Sequence, residues 1–178
     1  GGGGVGGGRP GDPMTFAPTL VAHASALLDA FRARGKMLVT AESCTGGLLA
    51  GLITHVAGSS DVLERGFVTY TNRAKTEMIG VPAPLIKKVG AVSEEVARAM
   101  ALGTLKYSGA DIAVSITGVA GPAGGTAEKP VGLVHFGAAL RDDGAIHERH
   151  VFSGDRESIR IASLETAMAL AIRMLEES

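Results

Sequence analysis

The sequence contains no tryptophan, only two tyrosines and five phenylalanines, and a single cysteine, Cys44. One cysteine excludes an internal disulfide, and a zinc site built from cysteines needs more thiols. The net charge of −1 gives no electrostatic signature of a nucleic-acid partner or of binding to an anionic membrane surface. No apolar run approaches the length of a transmembrane helix, and no signal peptide is recognisable. We therefore expect a cytoplasmic protein with neither a nucleic acid nor a membrane as partner.

Glycine is abundant, with 26 residues, and the chain opens on the low-complexity stretch GGGGVGGGRPGDP. Such a stretch cannot bury apolar surface, and ordering its glycines costs much backbone entropy. We expect residues 1–13 to be a disordered lead-in or a remnant of expression cloning. Residues 14–178, from Met14 onward, are expected to form one domain.

The spacing of apolar residues alternates between that of strands and that of helices. Short apolar runs with β-branched residues predict strands at 37–41, 66–71, 110–118, 131–140 and 146–154. Helical spacing predicts helices at 17–36, 46–58, 72–81, 93–110 and 155–178. We expect Asn72 and Ser93 to cap two of these helices and Gly35 to end the first. The alternation predicts an α/β fold: a single three-layer domain with a mixed, mostly parallel sheet covered by helices.

Three loops of unusual composition, at 42–47, 70–75 and 117–129, follow predicted strands, where α/β proteins bind their ligands. The first reads ESCTGG and places Ser43 just before a helix. Free N–H groups around Thr45, Gly46 and Gly47 could bind a phosphate or stabilise an oxyanion, with Ser43 as an acyl acceptor. An ordinary strand–helix connection with a serine or threonine cap fits the same stretch equally well.

A serine nucleophile needs a base, and no histidine stands in a recognisable triad order. Lys75 is the stronger candidate, because the helix dipole and partial burial would both disfavour its ammonium form. Tyr70, at the end of the preceding predicted strand, could share or relay the proton. The simpler alternative is that Lys75 is a solvated surface lysine.

The third loop is rich in glycine and could approach a phosphate or a ribose closely. It lacks both the Walker A sequence and the dinucleotide-binding fingerprint. A surface loop without a ligand is the alternative. Phosphoryl transfer would need acidic magnesium ligands close by, and this loop offers only Glu128.

Four stretches in these regions resemble one known family, the C-terminal domain family of the competence/damage-inducible protein CinA. They are AESCTGGLLAGLIT, GFVTYTNRAKTEMIGV, GAVSEEVARAMA and SITGVAGPAGGTAEKPVGLVH, and the similarity extends over residues 17–177. Stand-alone members of this family are nicotinamide-nucleotide amidases. The resemblance implies hydrolysis of the carboxamide of nicotinamide mononucleotide to nicotinate mononucleotide and ammonia, in pyridine-nucleotide salvage, with no metal and no cofactor.

The resemblance also implies roles for individual residues: catalysis by Ser43, Tyr70 and Lys75, in a Ser–Lys mechanism through an acyl-enzyme. The residues expected to bind the substrate or its oxyanion are Thr45, Gly46, Gly47, Asn72, Thr117, Gly118, Gly121, Gly124, Gly125 and Thr126.

Two alternatives stay open. Cys44 could be the nucleophile, since a thiol near a helix N-terminus has a lowered pKa. The domain could also bind a nucleotide without turnover, as a regulatory domain linked to competence or DNA damage. The apolar last helix is compatible with a homo-oligomer.

Overall fold

The computed structural model of the chain describes residues 16–178, so the expectation for residues 1–13 lies outside the described part. A single α/β domain is formed by eleven main elements. They are α1 (Pro18–Ala33), β1 (Leu38–Glu42), α2 (Leu48–His55), β2 (Leu63–Val68), α3 (Asn72–Ile79), α4 (Ala83–Val89), α5 (Glu94–Lys106), β3 (Ile112–Gly118), β4 (Leu133–Leu140), β5 (Gly144–Val151) and α6 (Arg156–Glu176).

The five strands form one mixed sheet in the order β2-β1-β3-β4-β5. Strand β1 pairs in parallel with both β2 and β3, whereas β4 is antiparallel to β3 and to β5. The central strands β1 and β3 are buried along nearly their whole length, so that even their polar residues, among them Thr40 and Ser115, are buried with the apolar ones.

Helices cover both faces of this sheet, and the predicted three-layer fold is confirmed. On one face, Leu38 and Ile112 belong to a core shared with α1, α2 and α6. On the other, Val39 and Ala41 pack against residues of α3, α4 and α5. No helix within residues 16–178 is long and apolar enough to cross a membrane.

The helix ends follow mostly from local sequence. Gly35 has a φ of +62° just after α1, as expected of the residue that ends a helix. Ser93 Oγ accepts the N–H of Val96 and caps α5. The prediction for Asn72 was wrong by one residue: Thr71 is the N-cap of α3, and its hydroxyl accepts the N–H of Ala74 at 3.0 Å. Both residues are good N-caps, and the end of β2 decides between them.

Strand β2 ends at Val68, three residues earlier than predicted, because its register with β1 places Val68 beside Glu42. Glu42 also pairs with Ile116 of β3. The carboxyl ends of three neighbouring strands therefore lie at one edge of the sheet. The three loops of unusual composition follow these strands and meet there.

Candidate active site

The side chains of Ser43 and Lys75 meet at this edge, as the sequence predicted. Ser43 lies in the loop between β1 and α2, and Lys75 is in α3. Lys75 Nζ is 3.0 Å from Ser43 Oγ. The lysine side chain is 1 % exposed, so the alternative of a solvated surface lysine is wrong. A hydroxyl and an amine in direct contact, shielded from water, are the two groups that a Ser–Lys nucleophile needs.

The surroundings of Lys75 favour its uncharged form. Burial lowers the pKa of its amine from 10.5 to about 8. Nζ also lies 2.9 Å from the carbonyl oxygen of Thr69 and 3.2 Å from that of Tyr70. A neutral amine has two N–H bonds and one lone pair. If the two carbonyl groups accept the two N–H bonds, the lone pair remains to accept the Ser43 proton.

Cys44 is a buried neighbour of the nucleophile. Its side chain is 6 % exposed, and burial raises the pKa of the thiol to about 11. The expectation of a lowered pKa near the helix N-terminus is therefore wrong, because desolvation of the thiolate outweighs the attraction of the nearby cations Arg160 and Lys75. A thiol that stays protonated is a poor nucleophile, and Ser43 is favoured.

Tyr70 contacts Ser43 and Lys75 through its backbone carbonyl group. Its carbonyl oxygen lies 3.2 Å from Lys75 Nζ and 3.4 Å from Ser43 Oγ. The phenol ring is 59 % exposed, and its hydroxyl is 3.5 Å from Arg156 Nη2. The structure thus places the tyrosine in the site but directs its hydroxyl toward Arg156 and away from the amine.

The N-terminus of α2 is occupied mainly by a carboxylate of the protein. Glu42, 1 % exposed, accepts the N–H of Leu49 at 2.8 Å and that of Ala50 at 3.1 Å. These bonds satisfy donors that a helix start otherwise leaves free, and they place a negative charge at the positive end of the dipole. A substrate phosphate is therefore not expected to bind at this helix end.

Thr45, Gly46 and Gly47 adjoin the site without lining its cavity. Gly46 and Gly47 have φ of +57° and +100°, a region that glycine adopts without strain. A side chain at Gly46 would contact Arg160, and one at Gly47 would contact Val68. The two glycines let the chain turn sharply from β1 into α2.

A cavity of about 300 Å³ opens next to Ser43 and Lys75, a volume at the lower end of the range for small-molecule sites. Besides Ser43, Lys75 and Tyr70, its lining includes Cys44, Asn72, Thr117, Gly118, Gly121, Gly124 and Arg156. Five of the ten residues expected to bind the substrate or its oxyanion therefore line this cavity.

Gly125 and Thr126 are not among the residues that line this cavity. Thr126 is held in a turn, where its N–H donates to Lys129 O and its hydroxyl accepts the Lys129 N–H. A side chain at Gly125 would lie 2.8 Å from the backbone nitrogen of Val131. Both residues shape the Gly-rich loop from behind the cavity.

Sequence patterns did not reveal that two arginines of α6 reach these loops. Arg156 lines the cavity and donates to Gly121 O at 2.8 Å. Arg160, one helical turn later, donates to the carbonyl oxygens of Cys44 and Thr45. They lie more than 100 residues after Ser43, and only the packing of α6 brings them here.

A larger cavity of about 800 Å³ adjoins the first across Arg156. Its lining includes Phe16, Leu48, Arg160 and Ile161 but, among the residues that the structure describes, no serine, cysteine or lysine. The smaller cavity is therefore the candidate active site, because it alone of the two combines a nucleophile with a base. Residues 16–178 contain no cluster of three histidine, cysteine or acidic side chains arranged to hold a metal ion.

Comparison with known proteins identifies the family of this chain. Residues 21–175 match the family model of the CinA C-terminal domain. The nicotinamide-nucleotide amidohydrolase PncC of Enterobacter agglomerans is 51 % identical over 144 residues, which are 81 % of this chain and 88 % of that protein. The protein of the same name from Escherichia coli is 55 % identical over 131 residues, 74 % of this chain and 79 % of that protein.

Longer proteins and solved structures also match. A CinA-like protein of Geotalea uraniireducens is 54 % identical over 78 % of this chain, which spans only 33 % of that protein's length. The crystal structure of the competence/damage inducible protein CihA from Agrobacterium tumefaciens superimposes with a TM-score of 0.87 at 44 % identity, covering 92 % of this chain and 99 % of that one. A CinA superfamily protein from Klebsiella pneumoniae gives a TM-score of 0.85 at 35 % identity, covering 89 % and 99 %.

Proposed function

The chain belongs to the CinA C-terminal domain family, and we propose that it is a nicotinamide-nucleotide amidase. In this proposal it hydrolyses the carboxamide of nicotinamide mononucleotide to give nicotinate mononucleotide and ammonia. The supporting observation is the 3.0 Å contact between Lys75 Nζ and Ser43 Oγ at the wall of a small cavity. The relatives named nicotinamide-nucleotide amidohydrolase support the choice of substrate.

The first half of the reaction forms an acyl-enzyme. Neutral Lys75 takes the Ser43 proton while the serine oxygen attacks the carboxamide carbon and the carbonyl oxygen becomes an oxyanion. The ammonium form of Lys75 then donates this proton to the amide nitrogen. The carbon–nitrogen bond breaks, ammonia leaves, and a nicotinoyl ester of Ser43 remains.

The second half hydrolyses that ester. Lys75, neutral again, takes a proton from water, and the resulting hydroxide attacks the ester carbon. The tetrahedral intermediate expels the Ser43 oxygen, which recovers its proton from Lys75, and nicotinate mononucleotide is released. Each proton that Lys75 accepts is returned within the same half-reaction, so the protons balance over the cycle.

The oxyanion of both intermediates needs hydrogen-bond donors. Within residues 16–178, the N–H groups of Cys44, Thr45 and Gly47 donate to no protein oxygen, whereas those of Ser43 and Gly46 donate to Ile116 O and Ser43 O. We assign the oxyanion site to the unpaired groups of this loop, with Cys44 N–H adjoining the nucleophile.

The ribose phosphate is proposed to bind Arg156 and the cavity-lining part of the Gly-rich loop, Thr117, Gly118, Gly121 and Gly124, with Asn72 opposite. Arg156 carries the only arginine guanidinium among the residues that line this cavity. Nη2 of Arg156 is 3.5 Å from the Tyr70 hydroxyl, so in this proposal the phenol lies beside the bound nucleotide. We also propose that the Tyr70 hydroxyl assists proton transfer in the Ser–Lys mechanism.

A coupled ammonia assay on the wild-type protein, Ser43→Ala and Lys75→Ala tests this function. We expect ammonia from nicotinamide mononucleotide with the wild type only. Turnover by Ser43→Ala would contradict the mechanism. Binding of the nucleotide by the wild type without release of ammonia would support the alternative of a regulatory nucleotide-binding domain.

A further inference from the structure

Arg160 connects helix α6 to the loop that carries Ser43. Its Nε donates to Cys44 O at 3.0 Å and its Nη2 donates to Thr45 O at 3.1 Å. The guanidinium group is a rigid planar fork, so the two bonds fix the directions of both carbonyl groups together. The Thr45 carbonyl also accepts the N–H of Leu48 at 2.9 Å, which ties the fork to the start of α2.

These bonds determine the direction of a backbone N–H group. In a trans peptide group the C=O and the N–H point in opposite directions. Thr45 N–H belongs to the same peptide group as Cys44 O, so it points away from Arg160. The bond from Gly46 N–H to Ser43 O, 3.0 Å long, orients the preceding peptide group and with it Cys44 N–H. Both N–H groups thus have fixed directions, and within residues 16–178 neither donates to a protein oxygen.

On the basis of the amidase function proposed above, we propose that Arg160 is a positioning residue for the oxyanion site. It holds the two carbonyl groups so that Thr45 N–H, together with Cys44 N–H, can stabilise the tetrahedral oxyanion on Ser43. Arg160 does not line the 300 Å³ cavity, so it acts through the loop and does not touch the substrate. The N–H groups that Arg160 aligns stabilise the transition state and do not contribute to substrate binding. Loss of the Arg160 side chain therefore lowers kcat and leaves KM unchanged.

Access to Arg160 from outside makes the proposal testable by chemical rescue. Its side chain is only half-buried and lines the 800 Å³ cavity on the far side of the loop. In Arg160→Ala, free guanidinium ions can therefore enter where the side chain was. Such an ion can donate two parallel N–H bonds to the same carbonyl groups, whereas an alkylammonium ion is a point charge without that fork.

The experiment compares Arg160→Ala and Arg160→Lys with the wild type and with Arg173→Ala, which removes an exposed arginine of the same helix. We expect kcat of Arg160→Ala to fall about 10- to 100-fold with KM within about twofold, since removing an oxyanion donor costs about 10²–10³ in turnover. Guanidinium chloride at low millimolar concentration should recover part of kcat, and methylammonium much less. Arg173→Ala should behave as the wild type.

The outcomes separate this inference from the proposed function. A wild-type protein that releases no ammonia overturns both. An active wild type with an unchanged kcat in Arg160→Ala overturns the inference alone, as does a loss that parallels a lower melting temperature and does not respond to guanidinium. If Arg160→Ala does not fold, Arg160→Lys decides: a folded variant with a lowered kcat and an unchanged KM supports the inference, and full activity overturns it.

Discussion

Lys75 Nζ lies 3.0 Å from Ser43 Oγ, although 32 positions separate the two residues in the chain. The amine is buried, and the backbone carbonyl groups of Thr69 and Tyr70 leave it with a lone pair for the serine proton. This contact is the basis of the proposed amidase mechanism and of the predictions that concern catalysis.

Removal of either partner is expected to abolish turnover without loss of the fold. Ser43→Ala and Lys75→Met should each lower kcat by about three orders of magnitude or more, because nucleophile and base act as a unit. Nucleotide binding, measured by calorimetry, should persist in Ser43→Ala. Equal losses in the double variant and in either single variant would support the coupling. Strictly additive losses would contradict it.

The pH dependence of kcat/KM should report the pKa of Lys75. Burial lowers the pKa of Lys75 to about 8, so the amine is neutral above that pH and protonated below it. We expect kcat/KM to fall about tenfold per pH unit below pH 8 and to level off above it. Initial rates of ammonia release between pH 6 and 9.5 test this. A rate independent of pH across that range would exclude Lys75 as the base.

Arg156 should determine the preference for a phosphorylated substrate. It is the cavity's arginine and lies between Gly121 O and the Tyr70 hydroxyl. Arg156→Ala should raise KM for nicotinamide mononucleotide at least about tenfold, since a charge-assisted pair with phosphate is lost. Rates with nicotinamide riboside, which has no phosphate, should change little.

The matched control for this prediction is Arg73→Ala, which removes an exposed arginine of α3 paired with Glu77. It should leave KM for both substrates unchanged. An Arg156→Ala variant that loses activity equally toward both substrates would show that this arginine does not bind the substrate phosphate.

Cys44 should be inert toward alkylation at neutral pH. Its thiol is buried and its pKa is raised to about 11, so the thiolate is scarce at pH 7. Wild-type activity should survive iodoacetamide, and Cys44→Ala should retain most of its turnover. Complete inactivation by iodoacetamide, combined with an active Ser43→Ala, would instead identify Cys44 as the nucleophile.

A histidine pair away from the active site should make stability depend on pH. His135 Nδ1 lies 2.7 Å from His147 Nε2, and burial, with the neighbouring His147, lowers the pKa of His135 to about 4. The unfolded chain binds a proton near pH 6.5 that the folded protein does not. The free energy of unfolding should therefore fall as the pH drops from 6.5 to 4.

This loss should amount to roughly 1–3 kcal/mol in the wild type and should be smaller in His135→Gln. Urea denaturation at several pH values measures the free energy of unfolding of both proteins as a function of pH. The carboxylates that titrate in the same range are present in both proteins, so a difference between the two curves is due to His135. Parallel curves for the wild type and the variant would show that His135 does not carry the effect.

Most of the fold could be predicted from the sequence because periodicity is a local property. The five strands and five of the six α-helices were predicted, including the cap at Ser93 and the glycine after α1, and the wrong cap at Asn72 differs by one position. Helix α4 was not predicted, because its seven residues make about two turns, which is too short to show a period. The ends of strand β2 depend on its pairing with β1, which local patterns do not reveal.

By itself the sequence determined the α/β class, the three loops and the choice of Ser43 and Lys75 as candidates for nucleophile and base, since each depends on residues close together in the chain. Only the tertiary structure decided the rest of the site. The thiol of Cys44 stays protonated because the fold buries it, and Glu42 occupies the helix end that seemed open to a phosphate. Two arginines of α6 reach the Gly-rich loop and the loop that carries Ser43, because that helix packs against the same face of the sheet as α2. Burial and long-range packing set the charge state and the partners of each group, and neither is encoded in any single stretch of the chain.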